Sequence, residues 1–67
     1  MKKTPLQKAI EFANGQTELA SKVGVTKQAV NQWLTKGVPA IRVIQIEKAV
    51  GGKVTRYELR PDLYPKN

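Results

Sequence analysis

Between Pro5 and Val50 the apolar positions recur with helical spacing. Leu6, Ala9, Ile10 and Ala13 fall at i, i+3, i+4 and i+7, one stripe of a helix. Thr4 is a good N-cap, Pro5 suits the first helical position, and Gln7 stands three residues after the cap. Asn14-Gly15 is a stop signal, because glycine takes the left-handed conformation cheaply. The pattern predicts a first helix over about 5–14. A second, about 16–23, turns Leu19, Ala20 and Val23 to one face, with Glu18 and Lys22 placed to suit its dipole and Gly24 to end it. A third, about 26–36, opens on the Thr26 cap, has Val30, Trp33 and Leu34 as its apolar face, and ends at Lys36-Gly37. A fourth, about 39–50, takes Pro39 as its first residue and closes at Gly51-Gly52. From Lys53 the texture changes. Val54 to Leu59 is β-branched and aromatic with rough alternation, and Pro61 and Pro65 forbid a regular helix across the tail. An extended segment over 53–67 is expected, with a short turn around Pro61 to Tyr64.

The gap between the second and third helices is Gly24-Val25 and then the Thr26 cap. Two helices joined by a turn this short, containing glycine, make a helix-turn-helix. Ala20 is small where the helices must approach, Gly24 frees the turn, and Val25 can plug beneath it. Val30 and Trp33 then seal the third helix against the first two. The prediction is an all-α, four-helix single domain of residues 1–67 with a short extended tail.

The stretch from Gln16 to Trp33 resembles the helix-turn-helix of lambda-type phage repressors and Cro proteins. The small residue Ala20, the glycine four places later, and Val30 with Trp33 stand where that pattern has them. The ending from Val54 to Pro65 looks like the tails of YdaS-like prophage Cro regulators. The resemblance implies a helical DNA-binding domain acting as a transcriptional repressor, often as a dimer. The tail is longer than a bare helix-turn-helix needs.

Composition agrees by exclusion. The chain has 67 residues, room for one modest core. It has no Cys and no His, so disulfides, thiolate or imidazole metal sites and histidine catalysis are out. Ser21 has no accompanying base, the Glu47 and Glu58 carboxylates have no visible partner for acid–base work, and Gly51-Gly52 is too little for a phosphate loop. No catalytic residue, metal, cofactor or small-molecule ligand is expected, and no enzyme reading survives. The apolar runs are too short for a bilayer, and Met1-Lys2-Lys3 is not followed by an apolar stretch, so no membrane partner is expected and a cytoplasmic location is. Twelve Lys and Arg against five Asp and Glu give a net charge of +7, which suits a polyanion.

The third helix says how it would be met. At about 100° per residue, with Val30 inward at zero, Gln28 lies near 160°, Gln32 near 200° and Asn31 near 100°. An outward face of amides is unusual, since ordinary solvated faces favour Glu and Lys. An amide offers a donor and an acceptor together, which matches the paired edge of adenine in the major groove. Lys27, at the exposed start of the helix, can join Gln28, Asn31 and Gln32 in reading bases. Gln16, Thr17, Lys22, Thr26 and Lys36 are the candidates for phosphates. No Asp or Glu stands between Lys22 and Val43 to oppose them.

The fourth helix carries more apolar residues than one core can hide. The surplus, Ile41 or Ile44, implies either a homodimer, at least on DNA, or a tail folded back with Val54, Tyr57 and Leu59. Sequence-specific binding to a double-stranded DNA operator is the expected function. The alternatives are an antitoxin or adaptor that binds a protein through its fourth helix, and a nonspecific basic DNA or RNA binder.

Overall fold

A computed structural model describes residues 3–65. Five helices follow in order: α1 Pro5–Phe12, α2 Gln16–Val23, α3 Lys27–Lys36, α4 Ala40–Ala49 and α5 Arg56–Leu59. The all-α expectation holds. The extended tail does not, because residues 56–59 are helical.

The termini follow from side-chain chemistry. Thr4 Oγ1 accepts from Gln7 N at 3.2 Å and Gln7 Oε1 accepts from Thr4 N at 2.8 Å, a complete capping box. Thr26 caps α3 by accepting from Ala29 N at 3.2 Å. The same device starts α5: Thr55 Oγ1 accepts from Glu58 N at 3.3 Å, and Glu58 Oε1 accepts from Thr55 N at 3.2 Å. This Thr-x-x-Glu box outweighs the β-branched texture around it. The turn after it is present, with Leu63 N and Tyr64 N both donating to the Arg60 carbonyl.

Two boundaries shift. α1 stops at Phe12 because Asn14 (φ 72°) and Gly15 (φ 121°) have both left the right-handed region, and Gly15 N returns to the Ile10 carbonyl at 2.8 Å. Pro39 is the N-cap of α4 rather than its first residue, since its ψ of 147° is extended. The helix-turn-helix is as expected. Gly24 is left-handed (φ 87°), and its N–H and that of Val25 both donate to the Ala20 carbonyl, at 2.8 and 2.9 Å.

The core draws Leu6, Ala9 and Ala13 from α1, Leu19, Ala20 and Val23 from α2, Val30 and Trp33 from α3, and Val43 and Ile46 from α4. Val38, Val50 and Val54 close it from the loops. Leu34 does not join them as expected. It is 38% exposed, because the inward arc of α3 is already filled by Val30 and Trp33.

Candidate nucleic-acid interface

α2 packs on α3, and this packing aims the outer face of α3 at solvent. Lys27, Gln28, Asn31 and Gln32 are all exposed. Gln16, Lys27, Gln28 and Asn31 come together around one shallow depression of about 430 Å³. Gln32 stands one turn beyond Gln28 on the same helix and outside that depression. The first turn of α3 is thus joined to the first turn of α2, although Gln16 is far from Gln28 in sequence.

The two helix starts differ. α3 is capped by Thr26, whose Oγ1 is occupied as an acceptor but keeps its own O–H to donate. α2 starts from Gly15, which offers no side-chain cap. Its first-turn N–H groups are therefore left to an outside acceptor, at the positive end of the helix dipole. Thr17 is exposed beside them. Lys22 and Lys36 are also exposed, but each lies at the far end of its helix. Lys36 instead borders a second depression with Thr4, Leu6, Trp33, Leu34 and Leu59. The phosphate candidates thus form a near group, Gln16, Thr17 and Thr26, and two outliers.

Charge is unevenly balanced. Among the described residues, salt bridges join Lys3 to Glu11, Arg56 to Glu47 and Arg60 to Asp62. Lys22, Lys27 and Lys36 have no such partner there. The tail pairs have chemical consequences. Arg56 donates from Nε and from its backbone N to Glu47 Oε1, at 2.9 and 3.0 Å. The side-chain bond is the main reason that the Glu47 carboxyl lies below its ordinary range. Arg60 lowers Asp62 in the same way.

The packing candidates separate. Val54 is fully buried, and Leu59 and Tyr64 pack against the core. The tail therefore does fold back, with Leu59 but without Tyr57, which is 41% exposed. Ile44 is half-buried, and Ile41 is 77% exposed on α4. Sequence reasoning missed the joint made by Arg60. Its Nη1 donates to the Val38 carbonyl at 2.6 Å. Nothing local in the sequence marks a contact across 22 residues.

A helix-turn-helix with an exposed amide-and-lysine face on its second helix is the class that the fold and surface define. Known proteins agree. Residues 6–67 match the family described as Bacterial toxin YdaS, and the chain belongs to that family. It is 43% identical over 60 residues to a protein of Escherichia coli (strain K12) named as a candidate transcriptional regulator, YdaS. That match takes in 85% of this chain but 60% of the E. coli protein, so the chain spans less than two thirds of that relative. The fold is similar, with a TM-score of 0.92 and 34% identity, to the Cro protein of a candidate prophage element, Xfaso 1, in Xylella fastidiosa strain Ann-1. That likeness covers 96% of this chain and 100% of the Cro chain.

Proposed function

We propose that this chain is a transcriptional regulator of the prophage Cro type that binds double-stranded DNA at specific sites. One observation carries the reading: the exposed amides and lysine of α3 share a depression with the uncapped start of α2. The major groove is wide enough to admit a helix, so α3 enters it. Lys27, Gln28, Asn31 and Gln32 then meet base edges. Gln16, Thr17 and Thr26 hold the nearest phosphates, and Lys22 and Lys36 reach others to either side. Occupying a promoter would block polymerase, and a regulator of this kind would act on DNA in the cytoplasm. Selection of bound sequences from random duplex tests the reading. A recovered motif supports it, and enrichment of no sequence leaves only nonspecific binding.

Ile41 supports a homodimer on DNA, because an isoleucine this exposed gains by being covered. Ile44, half-buried beside it in sequence, extends the apolar face. Paired α3 helices would sit about 34–36 Å apart, one turn of the duplex. Sedimentation at saturation should give two chains per selected site, and one chain per site would sink the dimer. The toxin description and Ile41 together support a second reading, in which α4 binds a different protein and DNA binding is secondary. Under that reading Ile41→Asp would leave assembly on DNA untouched.

A further inference from the structure

We infer that Arg60 is a positioning residue for the DNA-reading helix: from the C-terminal segment it fastens the loop that follows α3 and so sets how α3 is presented. The inference rests on the function proposed above.

The joint is built from one rigid plane. Arg60 Nη1 donates to the Val38 carbonyl at 2.6 Å. Its Nε and Nη2 donate to the two carboxylate oxygens of Asp62, at 3.0 and 2.7 Å. A guanidinium is flat, so the paired bonds to Asp62 fix the direction in which Nη1 points. The backbone of Arg60 is held as well. Its N–H donates to the Arg56 carbonyl, and its own carbonyl accepts from Leu63 N and Tyr64 N.

The far end of the joint needs holding. Gly37 has a positive φ of 97° with an extended ψ of 162°, and a Cβ built there would meet nothing within 4 Å. The exit is tied back by the Gly37 N–H to the Trp33 carbonyl at 2.9 Å, and its next restraint is Val38, whose side chain is buried in the core and whose carbonyl takes the Arg60 bond. Leu59 adds a second point, since it borders the same depression as Trp33, Lys36, Gly37 and Val38. The tail thus reaches the loop after α3 through one charged hydrogen bond, with Leu59 packed on the core beside it. Lysine could not replace this arginine, because a single ammonium cannot hold the paired bonds and reach the carbonyl in one fixed geometry.

Arg60 and Asp62 cancel in charge, which makes a clean test possible. Arg60→Ala with Asp62→Ala leaves the net charge at +7. General attraction to phosphate is then unchanged. Wild type, this double variant and Arg60→Lys are titrated with the selected site and with random duplex over a salt series. Amide exchange at Lys36 and Gly37 is followed without DNA. The double variant should lose about tenfold in affinity for the selected site, the scale of one base contact. It should keep its affinity for random duplex and its salt slope, and Lys36 and Gly37 should exchange faster. Arg60→Lys should not rescue the loss. If the double variant does not hold its helical circular dichroism, Arg60→Lys carries the same comparison alone. Equal losses on both DNAs would make Arg60 a general phosphate or folding residue and overturn the inference. Faster exchange with unchanged affinity for the site would overturn the role of Arg60 while leaving base reading by α3 intact. A wild type that prefers no sequence would overturn base reading itself, and this role with it.

Discussion

The α2–α3 surface and the segment after Gly52 carry the same sign of charge and use it in opposite ways. On α2 and α3 the cations are Lys22, Lys27 and Lys36, with no carboxylate paired to them among the described residues. In the C-terminal segment the two arginines, Arg56 and Arg60, are both committed to carboxylates, and Lys53 lies over the ring of Phe12. The residue types suit the two uses. Arginine offers a planar fork that locks internal geometry, and lysine offers a mobile, hydrated charge that suits a phosphate. The net charge of +7 is therefore a poor guide to the binding field. What counts is which cations are left unpaired, and the helix-turn-helix keeps its own.

Trp33 joins the two regions, and its removal should have the largest effect. It is 8% exposed and borders the depression that holds Leu59. Trp33→Ala should cost about 3–5 kcal/mol, a large share of the roughly 5–15 kcal/mol that keeps a domain folded. Thermal melting followed by circular dichroism measures this. A variant that melts like wild type yet loses DNA would move the indole from the core to the binding surface.

The core around Trp33 was legible because helical periodicity reports burial directly. The stripe Leu6, Ala9 and Ala13, the Gly24 turn, and Val30 with Trp33 all stand where their spacing puts them. Leu34 was misplaced because a stripe on one helix does not say how wide the neighbouring helices make the groove. The α5 helix had a local signal, the Thr55-x-x-Glu58 box, but the β-branched and aromatic residues masked it. The sequence offers Glu47 no visible partner for acid–base work, and it gives no sign of the Arg56 bonds that engage it through side chain and backbone. The contacts Glu47–Arg56 and Arg60–Val38 join residues far apart in sequence, and no periodicity encodes them. On the outer face of α3, periodicity predicts exposure. It does not predict that Gln16 would stand beside Gln28, which depends on how α2 crosses α3.

Base reading comes next in size. Gln28→Ala should remove about 1–3 kcal/mol of discrimination, the worth of one good paired contact to adenine. The loss should fall on the selected site, relax the choice at one base pair per half-site, and leave random duplex nearly unaffected. Competition with single-base variants of the site measures it, and an equal loss on every sequence would exclude base reading by this residue.

A smaller effect probes the other region. Because the bond from Arg56 lowers the Glu47 carboxyl in the folded chain, the unfolded chain takes up its proton at higher pH. The stabilisation is complete above the ordinary carboxylate range and is lost as pH falls through the lowered value. Asp62 behaves alike beside Arg60. The melting temperature should therefore fall on acidification, and Glu47→Gln should flatten the part of that fall that belongs to α5. An unchanged profile in Glu47→Gln would mean that the pair does not secure the tail.

Lys36 gives the smallest change and the sharpest contrast with Gln28. It is exposed at the end of α3, without a paired carboxylate among the described residues. A lysine on a phosphate releases a counterion but carries no sequence information. Lys36→Ala should weaken binding to the selected site, its single-base variants and random duplex by the same factor. It should also reduce the slope of log affinity against log salt by about one. Both readings come from one salt series with Gln28→Ala beside it, where the slope should stay and the ratio between sequences should fall. A Lys36→Ala protein with an unchanged slope would place this lysine off the duplex. The field of α2 and α3 would then rest on Lys22 and Lys27, which flank the turn between the two helices.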